Sequence, residues 1–227
     1  MDYTAFQARF KEYFGDEWQF IYQQNKNRLA LKNERIATRK LATIIPAVFS
    51  ISKSQGFQGM TVRDLCQATG FSMGGLYKYF AHKDDLIVMI HQALVDMTEQ
   101  ILLSVEDDNP LTSIDNMLIY HLYISERLKR WFYFVFMEAK HLDKSLLNQF
   151  VQSENLMEQA LMTHIVKACE LNLCQCESPF LTATVFKSAL QEWYLKTYKY
   201  HAYKISLEDF KQHLLNLRRQ LLPTLKP

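Results

Sequence analysis

The stretch from Thr61 to Phe80 restricts the fold of this chain more than any other. Thr61 supplies a hydroxyl suited to cap a helix. Val62, Leu65 and Ala68 then give that helix an apolar face. Gly70 interrupts it, and glycine takes the left-handed backbone of a sharp turn at little cost. Ser72 is a second cap, opening a helix expected over Met73–Phe80. Val62, Leu65, Cys66, Ala68, Phe71, Leu76 and Phe80 form a small shared core, with Cys66 packing where the helices cross. Cap, helix, turn, cap, helix is the order of a helix-turn-helix.

The second helix contains Gly74-Gly75, and each glycine costs about 1 kcal/mol relative to alanine inside a helix. A purely structural helix gains nothing from that. A helix lying deep in a major groove does, because its backbone can approach base edges. Charge supports this reading. The chain carries +2 overall, yet between Lys26 and Lys83 ten Lys/Arg face two acids, Glu34 and Asp64, a local +8 that leaves −6 elsewhere. A basic front on a mildly acidic body suits a phosphate-rich partner.

Beyond this segment the pattern is helical throughout, and six glycines and five prolines in 227 residues leave little for a turn-rich β protein. The expected fold class is all-α. Residues 1–35 form an N-terminal helical extension, with Phe6, Phe10 and Phe14 on one face and Asp16 capping a helix that bears Trp18, Ile21 and Tyr22. Residues 36–83 form the helix-turn-helix domain. Its first helix, Glu34 to Gln55, is ended by Gly56 and bent at Pro46. Residues 84–227 form a second helical domain. Its long helix runs from Asp84 to Leu103, a break follows at Asp107–Pro110, and a loop at Asn172–Pro179. Final helices are expected over Phe180–Tyr200 and Ser206–Leu222. No uninterrupted apolar run reaches the length of a membrane span, and Met1 to Phe20 has no signal-peptide core, so a cytoplasmic protein with no membrane partner is expected.

Gly56-Phe57, Thr61-Val62-Arg63-Asp64-Leu65, Gly70-Phe71-Ser72, Gly74, Leu76-Tyr77, Tyr79-Phe80 and Lys83-Asp84-Asp85-Leu86 together resemble the TetR/AcrR family of bacterial regulators. The resemblance covers roughly Arg39 to Leu86. It implies a homodimer, a palindromic operator in double-stranded DNA and a small-molecule effector that releases a repressor. By position it implies that Thr61, Ser72, Tyr77 and Lys83 hold phosphates, that Met73, Gly74, Gly75 and Lys78 face bases, and that Arg39 lies near the DNA backbone. Three positions depart from the family pattern. His82 replaces a small capping residue, Ser52 replaces an apolar core residue, and Met73-Gly74-Gly75 offers few hydrogen-bonding groups. Specificity then leans on thymine methyl contact, on Lys78 and on DNA shape. Pairing is expected through the last two helices.

Aromatic residues crowd Tyr120 to Phe136, and a helical core accounts for most of them. The resemblance implies an effector cavity there, with His121, Trp131, Phe134, Glu138, His141, Asn155 and Trp193 as its candidate lining. Segments Trp131–Leu142, Glu154-Asn155 and Trp193–Tyr200 are similar to members that answer to fatty acyl thioesters, so a small hydrophobic or acyl-type effector is expected. Glu138-x-x-His141 has half the spacing of a di-iron bundle, and the second copy it needs is missing. His164, Cys169, Cys174 and Cys176 lack a Cys-x-x-Cys knuckle, so reduced thiols are expected and no metal. No phosphate loop or nucleophile elbow is present. No cofactor and no catalytic residue are expected. A metal-dependent helical enzyme and a helical protein-binding adaptor stay open as alternatives.

Overall fold

The computed structural model describes residues 2–30, 33–139 and 144–225. Among them the regular structure is helical, with one isolated antiparallel bridge between Cys174 and Thr224. In chain order the helices are α1 (Tyr3–Phe14), α2 (Glu17–Asn25), α3 (Glu34–Gly59), α4 (Val62–Thr69), α5 (Met73–Leu76), α6 (Asp84–Leu103), α7 (Pro110–Arg127), α8 (Lys129–Glu138), α9 (Lys144–Glu170), α10 (Pro179–Leu195), α11 (Thr197–Ala202) and α12 (Leu207–Leu221). Most begin at a short polar residue whose side chain accepts a first-turn N–H: Asp2, Asp16, Asn33, Thr61, Ser72, Asn109, Ser178 and Ser206.

The chain divides into two compact units that do not follow chain order. The first comprises Met1–Met97 with Arg130–Asn148, the second Thr98–Lys129 with Gln149–Pro227. The stretch expected as one domain, residues 84–227, has residues in both units: fourteen of α6 and the segment 130–148 group with the N-terminal helices. Aromatic packing accounts for the second of these, because Trp131 meets Trp18 and Phe49 at ring-centroid distances of 5.5 and 5.8 Å, and Phe134 meets Phe49 and Phe57 at 5.2 and 5.7 Å.

Within the first unit, α1 packs on α2, α2 on α3, α3 on α4 and α4 on α5. Phe6, Phe10 and Phe14 are buried along one face of α1, as their spacing predicts, and Ile21 and Tyr22 are buried on α2. Helix α3 leaves helical geometry at Gly56 (φ 74°), the glycine expected to end it. Its remaining residues keep helical backbone angles, Pro46 included, so the bend expected there does not take the form of a break. By composition and length α6 could cross a bilayer, but Leu86, Ile87, Ile90, Ala93, Leu94, Met97 and Ile101 are buried in the protein, which makes it a core helix.

In the second unit α7 packs against α10 and α12, and α10 against α12. The helix expected over Phe180–Tyr200 is split at Lys196 (φ −122°, ψ 40°). The Thr197 hydroxyl donates to the Trp193 carbonyl at 3.0 Å.

Candidate nucleic-acid interface and effector site

The helix-turn-helix is built from local bonds that its sequence dictates. Asp64 returns the Thr61 cap, since its carboxylate accepts the Thr61 N–H and hydroxyl, both at 2.8 Å, while Thr61 Oγ1 accepts the Asp64 N–H at 3.2 Å. The Thr61 backbone N–H, then its hydroxyl, hold the Asp64 carboxyl below the usual carboxylate range. Gly70 takes the left-handed conformation (φ 72°, ψ 10°), and its N–H donates to the Cys66 carbonyl at 2.9 Å. Leu65 and Leu76 are fully buried, and Tyr79 and Phe80 nearly so. These anchors leave Ser72, Met73, Gly74, Tyr77 and Lys78 exposed, with Gly75 half-buried.

The recognition helix is shorter than expected. Helical geometry covers Met73–Leu76 rather than Met73–Phe80, and the Tyr79 N–H closes a tight turn on the Leu76 carbonyl at 2.8 Å. Two glycines in one turn weaken propagation. The Lys78 carbonyl also accepts a bond from outside the element, the Ala30 N–H at 3.1 Å. Gly74 faces open space, with nothing within 4 Å of an added Cβ. A Cβ on Gly75 would lie 3.1 Å from Ser72 Oγ, the atom that accepts the Gly75 N–H.

Several residues expected to hold phosphates have work within the fold. The Thr61 and Ser72 hydroxyls cap helices. Lys83 Nζ donates to the carbonyls of Phe57 (3.3 Å), Gln58 (2.6 Å) and Met60 (3.2 Å), placing a cation on the C-terminal end of α3. Arg39 is exposed on α3. Asp85 makes good the capping residue that His82 does not supply, because its carboxylate accepts the N–H groups of Ala81 (2.9 Å) and His82 (2.8 Å). Ser52 is buried and its hydroxyl makes no hydrogen bond.

The residues proposed for an effector fall in both units. Trp131, Phe134 and Glu138 belong to the first unit, where Glu138 Oε1 accepts the Phe57 N–H at 3.3 Å and Oε2 is buried without a hydrogen-bond partner. His141 lies outside the described residues. His121 and Trp193 are buried in the second unit, whereas Asn155 is exposed on α9. The Trp193 Nε1–H donates to Glu126 Oε2 at 2.8 Å.

Sequence reasoning missed a set of buried charged and phenolic groups in the second unit. Lys187 donates to the Glu154 carboxylate at 2.6 Å and to the Glu154 carbonyl at 2.7 Å. Lys211 donates to the Tyr123 hydroxyl at 3.3 Å, and Arg218 forms a two-pronged pair with Asp115. Burial, then the neighbouring Lys187 charge, pushes His121 down to about 3, so the imidazole is neutral at neutral pH. Burial, then Glu154, raises the Tyr194 phenol above its ordinary value. The signal was readable, because Lys187 interrupts the apolar face formed by Ala183, Phe186 and Leu190 at helical spacing.

Cys169 and Cys174 Sγ lie 3.8 Å apart, and burial pushes the Cys174 thiol up to about 12. Among the described residues, no group of three or more His, Cys, Asp or Glu side chains could hold a metal ion.

Residues 50–90 match the sequence profile described as "Bacterial regulatory proteins, tetR family". No curated protein matches the chain. Several solved structures share its fold at low identity. A tetR-family regulatory protein from Rhodococcus RHA1 has a TM-score of 0.72 at 11% identity, covering 82% of this chain and 97% of that one. The ketosteroid transcriptional regulator KstR2 of Mycobacterium tuberculosis has a TM-score of 0.69 at 13% identity, over 88% and 99%. AibR, in complex with isovaleryl coenzyme A and operator DNA, has a TM-score of 0.68 at 16% identity, over 82% and 100%.

Proposed function

We propose, from the match of residues 50–90 to the profile of tetR-family bacterial regulatory proteins, that this chain belongs to that family and is a cytoplasmic, homodimeric transcriptional repressor released by a small hydrophobic or acyl-type effector. The observation that carries the reading is the outer surface of α5 and the turn after it. Met73, Gly74, Tyr77 and Lys78 stand exposed there, beside the buried Leu65, Leu76, Tyr79 and Phe80. Small residues at the front let the backbone approach base edges, and Lys78 supplies a donor for guanine or for phosphate. Two subunits place these surfaces in successive major grooves about one helical turn apart, which makes the operator a palindrome.

Of the final helices, α10 offers the apolar dimer face, with Phe180, Leu181 and Val185 exposed at helical spacing. The outer face of α12 is polar, with Gln212, His213, Arg219 and Gln220 exposed. In the second unit neutral His121, the Tyr194 phenol and the Lys187 ammonium suit the polar head of a ligand whose body is apolar. Effector binding there lowers operator affinity by favouring a state that binds DNA less well.

Selection of bound duplexes from a random pool tests the reading. Enrichment of one palindrome, with half-sites about ten base pairs apart centre to centre, is the expected outcome. Acyl carboxylates and thioesters then release the selected duplex from the parent protein but not from Lys187→Met. Failure to enrich any sequence contradicts the proposal, and release that is unaffected by Lys187→Met contradicts the effector site.

A further inference from the structure

The N-terminal extension reaches the recognition turn. Helix α2 ends in a compact corner in which the Asn25 carbonyl accepts the N–H groups of Arg28 (2.8 Å) and Leu29 (3.0 Å). The Asn25 side chain donates to the Ile21 carbonyl at 2.8 Å, and Asn25 and Leu29 are both buried. The next residue, Ala30, donates its backbone N–H to the carbonyl of Lys78 at 3.1 Å. This ties the corner to the segment that carries the exposed Tyr77 and Lys78.

The charged residues this corner turns outward are basic. Lys26 and Arg28 are exposed, and no acid occurs in the sequence between Glu17 and Glu34. Arg28 stands two residues from Ala30, so its Cα lies within about 7 Å of the bonded backbone. A guanidinium on a three-methylene stem spans a comparable distance. That length suits a phosphate beside whatever groove the recognition turn enters.

We propose that this corner is a second DNA contact, in which Arg28, supported by Lys26, holds phosphates flanking the half-site read by Met73–Lys78. The inference rests on the DNA-binding reading above. It assigns to the extension a share of the local basic charge, of which Met73–Lys78 itself carries one cation, Lys78. Phosphates are the target rather than bases, because the Asn25 and Ala30 backbone bonds fix the corner beside the recognition turn rather than within it.

Salt titration of binding to the selected duplex tests this with parent protein, Arg28→Gln and Arg28→Lys. Replacing one phosphate contact lowers the slope of log affinity against log salt by about 0.9 per subunit. Arg28→Gln should show that loss, with an equal proportional weakening on unrelated duplexes, and Arg28→Lys should restore most of the slope. Arg28 is exposed, so melting of the free protein should be unchanged. An unchanged slope and affinity in Arg28→Gln overturn the proposal, as does a loss confined to the selected duplex, which would mean base reading. If the parent itself prefers no sequence, the DNA-binding reading fails. A specific parent with an unaltered Arg28→Gln variant sinks only the added contact.

Discussion

Lys83 shows how one side chain can serve two accounts. Its place in the motif suggests a phosphate contact, yet its ammonium donates to three carbonyls at the end of α3. Hydrogen bonds to charged groups are strong when partly shielded, and a cation at a helix C-terminus is favourable in itself. Lys83→Met keeps the apolar stem and removes the charge. It should lower unfolding stability by about 1 kcal/mol and leave the salt slope of DNA binding where it was. A slope reduced by about one unit with unchanged melting would return Lys83 to the phosphates. Ser52 gives a test of opposite sign. Its buried hydroxyl makes no hydrogen bond, and such a group costs about 1–3 kcal/mol. Ser52→Ala removes that cost and improves helix propensity. The urea midpoint should rise with an unchanged m-value, and a lower midpoint would show that the hydroxyl is satisfied.

Among the helices, those whose ends are marked by short polar caps, Gly56, Gly70 or Pro110 were legible in sequence, because capping and left-handed turns depend on the residue at the spot. The elements that differ are those settled by distant partners or by a local change of backbone angle that periodicity does not register. The recognition helix shortened to Met73–Leu76, where the Ala30 N–H takes the Lys78 carbonyl, a partner 48 positions away in the chain. The Phe180–Tyr200 helix split where the Thr197 hydroxyl bonds back to Trp193. Periodicity found the aromatic density around Trp131 but not its destination, since it cannot say which unit receives a buried ring. The effector residues divide accordingly, with Trp131, Phe134 and Glu138 in one unit and His121 and Trp193 in the other. Lys187 and Lys211 are not legible as buried partners, because Glu154 and Tyr123, which receive them, lie 33 and 88 positions away in the chain.

For the whole molecule, pH and DNA are the two levers. The His121 pKa falls from 6.5 to about 3 on burial, so between those values the unfolded chain binds the proton and the folded one does not. Stability attached to this residue is therefore full above about pH 6.5 and is lost as pH falls, by at most about 1.4 kcal/mol per pH unit. His121→Phe should show a flatter decline from pH 6.5 to pH 4 in denaturant titrations, and parallel curves would mean that the imidazole is accessible to protons in the native state. The central claim, that the surface beginning at Met73 enters DNA, rests on Gly74. A leucine there has open space around its Cβ and gains helix propensity, so it should not harm the free protein. In a groove the same side chain holds the backbone away from base edges. Fluorescence anisotropy with the selected duplex and a scrambled one, beside thermal melting of the free proteins, compares Gly74→Leu with its parent. The account predicts unchanged or higher melting, with affinity for the selected duplex falling to that for the scrambled one. Full discrimination retained by Gly74→Leu would contradict it.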